Sequence, residues 1–131
     1  MTKRRLLFLI ATLLCALDSA SAETVRERLK NDPKFELYAV IFGVTVDANS
    51  KIDGFRVVKV TDPKSRSTDP VDVQVPKKFV AAARKRLAGM QKYEPKFKDG
   101  KPVEFFTYVF YSPEHPDIVI TDLDVPIDKQ P

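Results

Sequence analysis

One histidine, one cysteine and no tryptophan in 131 residues leave little from which to build a catalytic centre. Zinc needs several His, Cys or carboxylate ligands at short spacings, and a thiol nucleophile needs a histidine beside it. Phosphate loops need clustered glycines, and a hydrolase elbow needs G-x-S-x-G. None of these patterns occurs, so catalysis would have to rest on carboxylates, lysines or serines alone. His115, between Glu114 and Pro116, reads as an exposed loop residue. Asp117, Asp122, Asp124 and Asp128 offer the hard oxygens that calcium prefers, but without the loop spacing and turn glycine of an EF-hand. They read as a solvated acidic tail, lying across the basic helix of the same chain if it folds back. No enzyme, cofactor or metal site is expected.

Two other groupings are candidates for binding. From residue 77 to residue 101 there are nine Lys and Arg against Glu94 and Asp99, a net +7. From 102 to 131 only Lys129 stands against six acids, a net −5. Lys78, Lys85, Lys92, Lys96 and Lys98 form the expected basic face, a pattern that suits a polyanion or an anionic membrane and equally suits a solvated helix. The second grouping is the aromatic run Glu104, Phe105, Phe106, Thr107, Tyr108, Val109, Phe110 and Tyr111. Apolar residues on both of its faces fit a buried central strand. An exposed edge there would instead accept an extended peptide through main-chain hydrogen bonds.

The elements that position these groups follow from periodicity. Residues 36–46, ELYAVIFGVTV, form a nearly continuous β-branched and aromatic run, read as a strand with Tyr38, Val40, Phe42, Val44 and Val46 on the core face. Residues 47–51 give turn chemistry, with Asn49 suited to the left-handed conformation, and residues 52–61 form the returning strand with a bulge at Gly54. Pro63 and Pro70 make 62–75 a loop. Pro76 opens a helix in which Phe79, Val80, Ala83, Leu87 and Met90 share one arc, Lys77, Lys78, Lys85 and Lys92 fall opposite, and Arg84 and Arg86 flank the stripe. Pro95 ends it, Asp99-Gly100 reverses the chain, and 103–111 is the next strand. The fold class expected is α+β, a small antiparallel sheet with one packed amphipathic helix in the order β-β-α-β. Residues 24–31 form a marginal surface helix or a flexible lead-in, and 117–122 a short fourth strand or an extended tail.

The N-terminus sets the compartment. Lys3, Arg4 and Arg5 precede an apolar run from 6 to 17, and Ala20-Ser21-Ala22 offers small residues where a signal peptidase cuts. As a helix that run spans roughly 18 Å against a hydrocarbon core of about 30 Å, too short for a comfortable permanent anchor. Cleavage after Ala22 is expected, with an exported chain in an oxidising compartment that keeps no transmembrane segment and no cysteine. Removing Lys3, Arg4, Arg5 and Asp18 from 22 basic and 18 acidic residues leaves 19 and 17, a net charge of +2. Export argues against a nucleic-acid partner. The division expected is a signal peptide at 1–22, a lead-in at 23–35, a domain at 36–112 and an acidic tail or extra strand at 113–131.

The hairpin Val44-Thr45-Val46-Asp47-Ala48-Asn49-Ser50-Lys51-Ile52, a helix closing on Tyr93-Glu94-Pro95, and Asp99-Gly100-Lys101-Pro102-Val103 leading into a strand resemble the C-terminal domain of TonB-family proteins. The resemblance covers residues 42–111. It implies a small α+β domain in the periplasm of a Gram-negative bacterium. It further implies that the strand after the helix, here Glu104 to Tyr111, lies near a sheet edge and pairs with a segment of an outer-membrane transporter or with a second copy. The energy transducers of that family keep a membrane helix carrying a histidine, and a Pro-rich spacer. Here the apolar segment has no histidine, the ten prolines are scattered, and Lys77-Lys78 replaces the usual acidic helix start. The expected function is a non-catalytic binding module acting by strand addition or dimerisation. The alternatives are a divergent transducer held at the inner membrane, and an envelope protein docking its basic helix on anionic lipid or glycan.

Overall fold

In the computed structural model, which describes residues 22–131, nine segments of regular structure follow one another. They are α1 (Val25–Asn31), β1 (Tyr38–Val46), β2 (Ile52–Thr61), α2 (Lys77–Met90), β3 (Phe97–Lys98), β4 (Lys101–Pro102), β5 (Phe105–Ser112), β6 (His115–Ile120) and a 3-10 turn, Ile127–Lys129. The fold is mixed α+β: a small antiparallel sheet in the order β2-β1-β5-β6, a separate β3-β4 ribbon and two helices. Residues 1–21 of the expected signal peptide at 1–22, with its apolar run from 6 to 17, lie outside the described residues.

β1 is the central strand because its sequence has few polar side chains to expose. Val40, Phe42, Val44 and Val46 point to one face and are buried there with Val60 of β2, Val109 and Tyr111 of β5, and Tyr93. α2 closes that face with Phe79, Ala83 and Leu87, spaced four residues apart and so stacked along one side of the helix. The Phe79 ring lies 4.8 Å from that of Tyr111, and Phe42 stacks on Phe55 at 4.3 Å. Two members of the expected stripe sit differently: Val80 is half-buried, and Met90, at the last turn, is 51% exposed.

The β1–β2 hairpin is held by Asp47, whose carboxylate accepts from the backbone N–H of Asn49 and of Lys51 at 2.8 and 3.0 Å. The left-handed residue is Ser50 (φ 64), not Asn49 as expected, because the Asp47 side chain organises the turn around the residue before Lys51. The ladder then shifts register between Thr45 and Val46, opposite Gly54 and Ile52. A Cβ on Gly54 would lie 2.2 Å from Thr45 Oγ1, which donates to Asp53. Glycine is what lets the bulge close.

Alternation along β5 sends Phe110 to the face opposite Val109 and Tyr111, and a second core forms there from Val25, Phe35, Leu37 and Ile120. α1 is therefore not the marginal surface segment expected. Thr24 caps it by accepting from Glu27 N–H, Val25 is 1% exposed, and the N–H groups of Val25 and Arg26 donate to Val125 and Leu123 carbonyls. A seven-residue helix is too short to persist alone. This one is stabilised by docking on the C-terminal segment. His115 correspondingly opens β6, half-buried, rather than sitting in an exposed loop. The acidic segment does lie against α2 through β6, where Asp117 shares a cleft with Lys85 and Arg86, but its ion pairs are with α1: Arg26 meets Asp124 and Arg28 meets Glu114, both at 2.7 Å.

Candidate functional site

The strand expected to receive a partner is β5, and its surroundings divide it in two. On one side it pairs with β1 along its length, from Phe105 opposite Val44 to Tyr111 opposite Tyr38. On the other, the tight turn at Pro113-Glu114 brings β6 back, with Phe110 opposite Ile120 and Ser112 opposite His115. Phe110 is thus enclosed within the sheet, and an edge running the whole way from Glu104 to Tyr111 is not what the chain forms. From Phe105 to Val109, however, no strand is registered on that outer side among the described residues.

β6 stops short for a local reason. The N–H groups of Thr121 and Asp122 both donate to Gln130 Oε1 at 3.0 Å, and Gln130 Nε2 donates back to the Asp122 carbonyl at 2.7 Å. That side chain captures the backbone groups that would have carried the ladder onward. A groove of about 290 Å³ remains beside the open half-edge, lined by Thr107, Tyr108 and Val109, by Leu87, Met90 and Tyr93, and by the end of β6 at Ile120 and Thr121. Phe106 and Tyr108, on the sheet face away from α2, are 62% and 60% exposed, and Tyr108 meets Phe110 edge-on at 5.6 Å.

Glu104 is engaged within the chain. Its carboxylate crosses over β1 to accept two hydrogen bonds from Arg56, at 2.8 and 2.6 Å. Gly43 lies beneath this bridge, paired with Arg56 on one side and Phe106 on the other, and a Cβ there would come within 2.6 Å of Glu104 Oε2. The Arg56 hydrogen bonds hold the Glu104 carboxyl below its ordinary range despite opposing desolvation.

The five expected basic residues are spread over more than one element. Lys98 is in β3 and Lys96 just before it, and Lys78 lies in the first turn of α2. Lys85 and Lys92 meet Arg84, of the same basic stretch, and one cation that sequence reasoning did not join to them, Lys51. They do so in a cleft of about 440 Å³ between α2 and the β1–β2 turn. The lining is Ser50, Lys51, Ile52, Ala81, Arg84, Lys85, Ala88, Gln91, Lys92 and Tyr93, with no acidic residue. Arg84 is fixed by donating to the Ile52 carbonyl at 2.9 Å. The three ion pairs among the described residues involve none of the four cations. No signal in the chain links Lys51 to residues more than thirty positions away; packing of the hairpin on the helix joins them.

Among the described residues no group of three or more His, Cys, Asp or Glu is placed to hold a metal ion. Ser112 stands opposite His115 in the ladder, but it is fully buried. What the fold presents is two kinds of surface: an interrupted sheet edge with aromatic residues, and an uncompensated basic cleft. Compared with protein-family models, with curated proteins and with solved structures, the chain finds no match.

Proposed function

We propose that the chain is a non-catalytic periplasmic binding module with a TonB C-terminal-like fold, which acts by adding an extended segment, or a second copy of itself, to the open half of β5. One observation carries this reading: β6 ends at Ile120 and, among the described residues, leaves Phe105–Val109 without an outer strand, beside a groove of about 290 Å³. Unpaired main-chain groups on such an edge supply affinity, while the groove and the exposed Phe106 and Tyr108 supply side-chain selectivity. The passage of the chain from β2 through α2 to β5, with β5 laid beside β1, supports the fold likeness.

Amide hydrogen exchange on isotope-labelled protein tests it. In dilute protein alone, outward amides of Phe105–Val109 should exchange faster than those of Phe110–Ser112. They should gain protection either at high protein concentration or in periplasmic extract. Full protection already in dilute protein, or no gain under either condition, rules out strand addition at this edge.

A further inference from the structure

We infer that the cleft between α2 and the β1–β2 turn is a binding site for a small ligand carrying two or more phosphate groups. This site is separate from the β5 edge and stands whether or not that edge binds a partner. Its construction begins with spacing: Ala81, Arg84, Lys85 and Ala88 occur at i, i+3, i+4 and i+7, so they form one stripe of α2. The two alanines keep the floor low, and the two cations rise from it. The β1–β2 turn places Lys51 on the opposite wall, and the chain leaving α2 places Lys92 at the end.

Four cations facing one cleft repel each other, and no acidic side chain lines it to offset that. Lys85, Lys92 and Lys51 are exposed and make no ion pair among the described residues. Arg84 differs: its Nη2 is committed to the Ile52 carbonyl, which orients the guanidinium and leaves its other N–H groups available. Holding a donor in place before binding lowers the ordering cost of the complex. Ser50 and Gln91 add neutral donors on the rim.

The ligand chemistry follows from the donors. A single carboxylate meeting an exposed lysine gains little, because solvent screens the pair. A compact anion with several charges engages three ammonium groups at once, and lysines act as point charges on phosphate where planar carboxylates favour paired arginines. The phosphates could be borne by a lipid headgroup or by a soluble molecule, and the two sources present the same group to the cleft.

The test uses protein produced from the full chain and two probes, inorganic tripolyphosphate by titration calorimetry and phosphatidylcholine vesicles containing cardiolipin, whose headgroup carries two phosphates, by co-sedimentation. Tripolyphosphate should bind with one site per chain, and affinity should fall as salt shortens the Debye length below about 10 Å. The pair Lys51→Glu with Lys92→Glu should weaken binding by about tenfold or more. Ala88→Leu, which fills the floor without changing charge, should weaken it as well. Lys30→Glu with Lys34→Glu, exposed residues that do not line the cleft, makes the same change in net charge and should leave binding within about twofold. Vesicle binding lost in the same variants assigns the phosphate to lipid, and tripolyphosphate binding without vesicle binding assigns it to a soluble ligand. Binding of neither probe overturns the site. So does equal weakening by the Lys30 and Lys34 pair, which reduces the effect to net charge.

Discussion

At the scale of single residues, Gly43 and Glu104 make a coupled device. Replacing glycine by alanine in a strand ordinarily stabilises by about 0.4–1 kcal/mol, through the unfolded chain, where the native conformation tolerates a side chain. Here the new Cβ would press on Glu104 Oε2, the far end of a movable side chain, and push it off Arg56. Gly43→Ala should therefore stabilise a Glu104→Ala background more than it stabilises the parent, and a double-mutant cycle of denaturant unfolding measures that difference. Additive changes would show that the bridge tolerates the methyl. The same carboxylate sets a pH dependence. Because its folded pKa is lowered from 4.5, its contribution to stability is present above the unfolded value and is lost as pH falls through the folded one. Glu104→Gln should consequently flatten the drop in melting temperature below about pH 4.5, followed by circular dichroism. An unchanged acid limb would show that other carboxylates carry it.

At the scale of elements, what was legible in the sequence depended on how far apart the partners lie. β2 runs over 52–61 as expected, and α2 begins after Pro76, because a strand's alternation and a helix's apolar stripe are local patterns. α1 was undervalued because the residues that bury Val25 come from the other end of the chain, through Leu123, Ile127 and Ile120. The β3-β4 ribbon was read only as a reversal at Asp99-Gly100, and both residues do take positive φ, 52 and 76. The end of β6 was not legible at all. It depends on Gln130, a polar residue with no periodic context, reaching back eight or nine positions. Gln130→Ala removes the acceptor for two backbone N–H groups and should cost about 1–3 kcal/mol if neither finds another partner. It should also speed amide exchange at Thr121 and Asp122. Slower exchange there would show instead that the freed segment extends β6 along β5 and closes the groove. Leu37→Ala, which hollows the same second core, should cost about 2–5 kcal/mol in chemical unfolding. A loss below 1 kcal/mol would mark the second core as an accessory layer rather than part of one cooperative unit.

At the scale of the whole molecule, the question is which part of the chain the folded body requires. Among the described residues the first buried side chain is Val25, the cap of its helix is Thr24, and Ala22 and Glu23 are exposed. Folded structure thus begins one to three residues after the site where the small residues Ala20-Ser21-Ala22 invite cleavage, close enough to need no linker and far enough to leave the cap whole. No helix in the described residues is long and apolar enough to cross a membrane. Cleavage and anchoring then make opposite demands on one measurable quantity. A periplasmic fraction should yield a chain whose intact mass begins at Glu23. That chain should unfold at the same temperature as protein carrying the uncut segment, because among the described residues the buried side chains of both cores begin at Val25. Full-length protein recovered in the inner-membrane fraction would replace the freely diffusing module with an anchored transducer. A mature chain starting beyond Thr24 would have lost the α1 cap, and its melting temperature should fall accordingly, since an N-cap is worth about 0.5–2 kcal/mol.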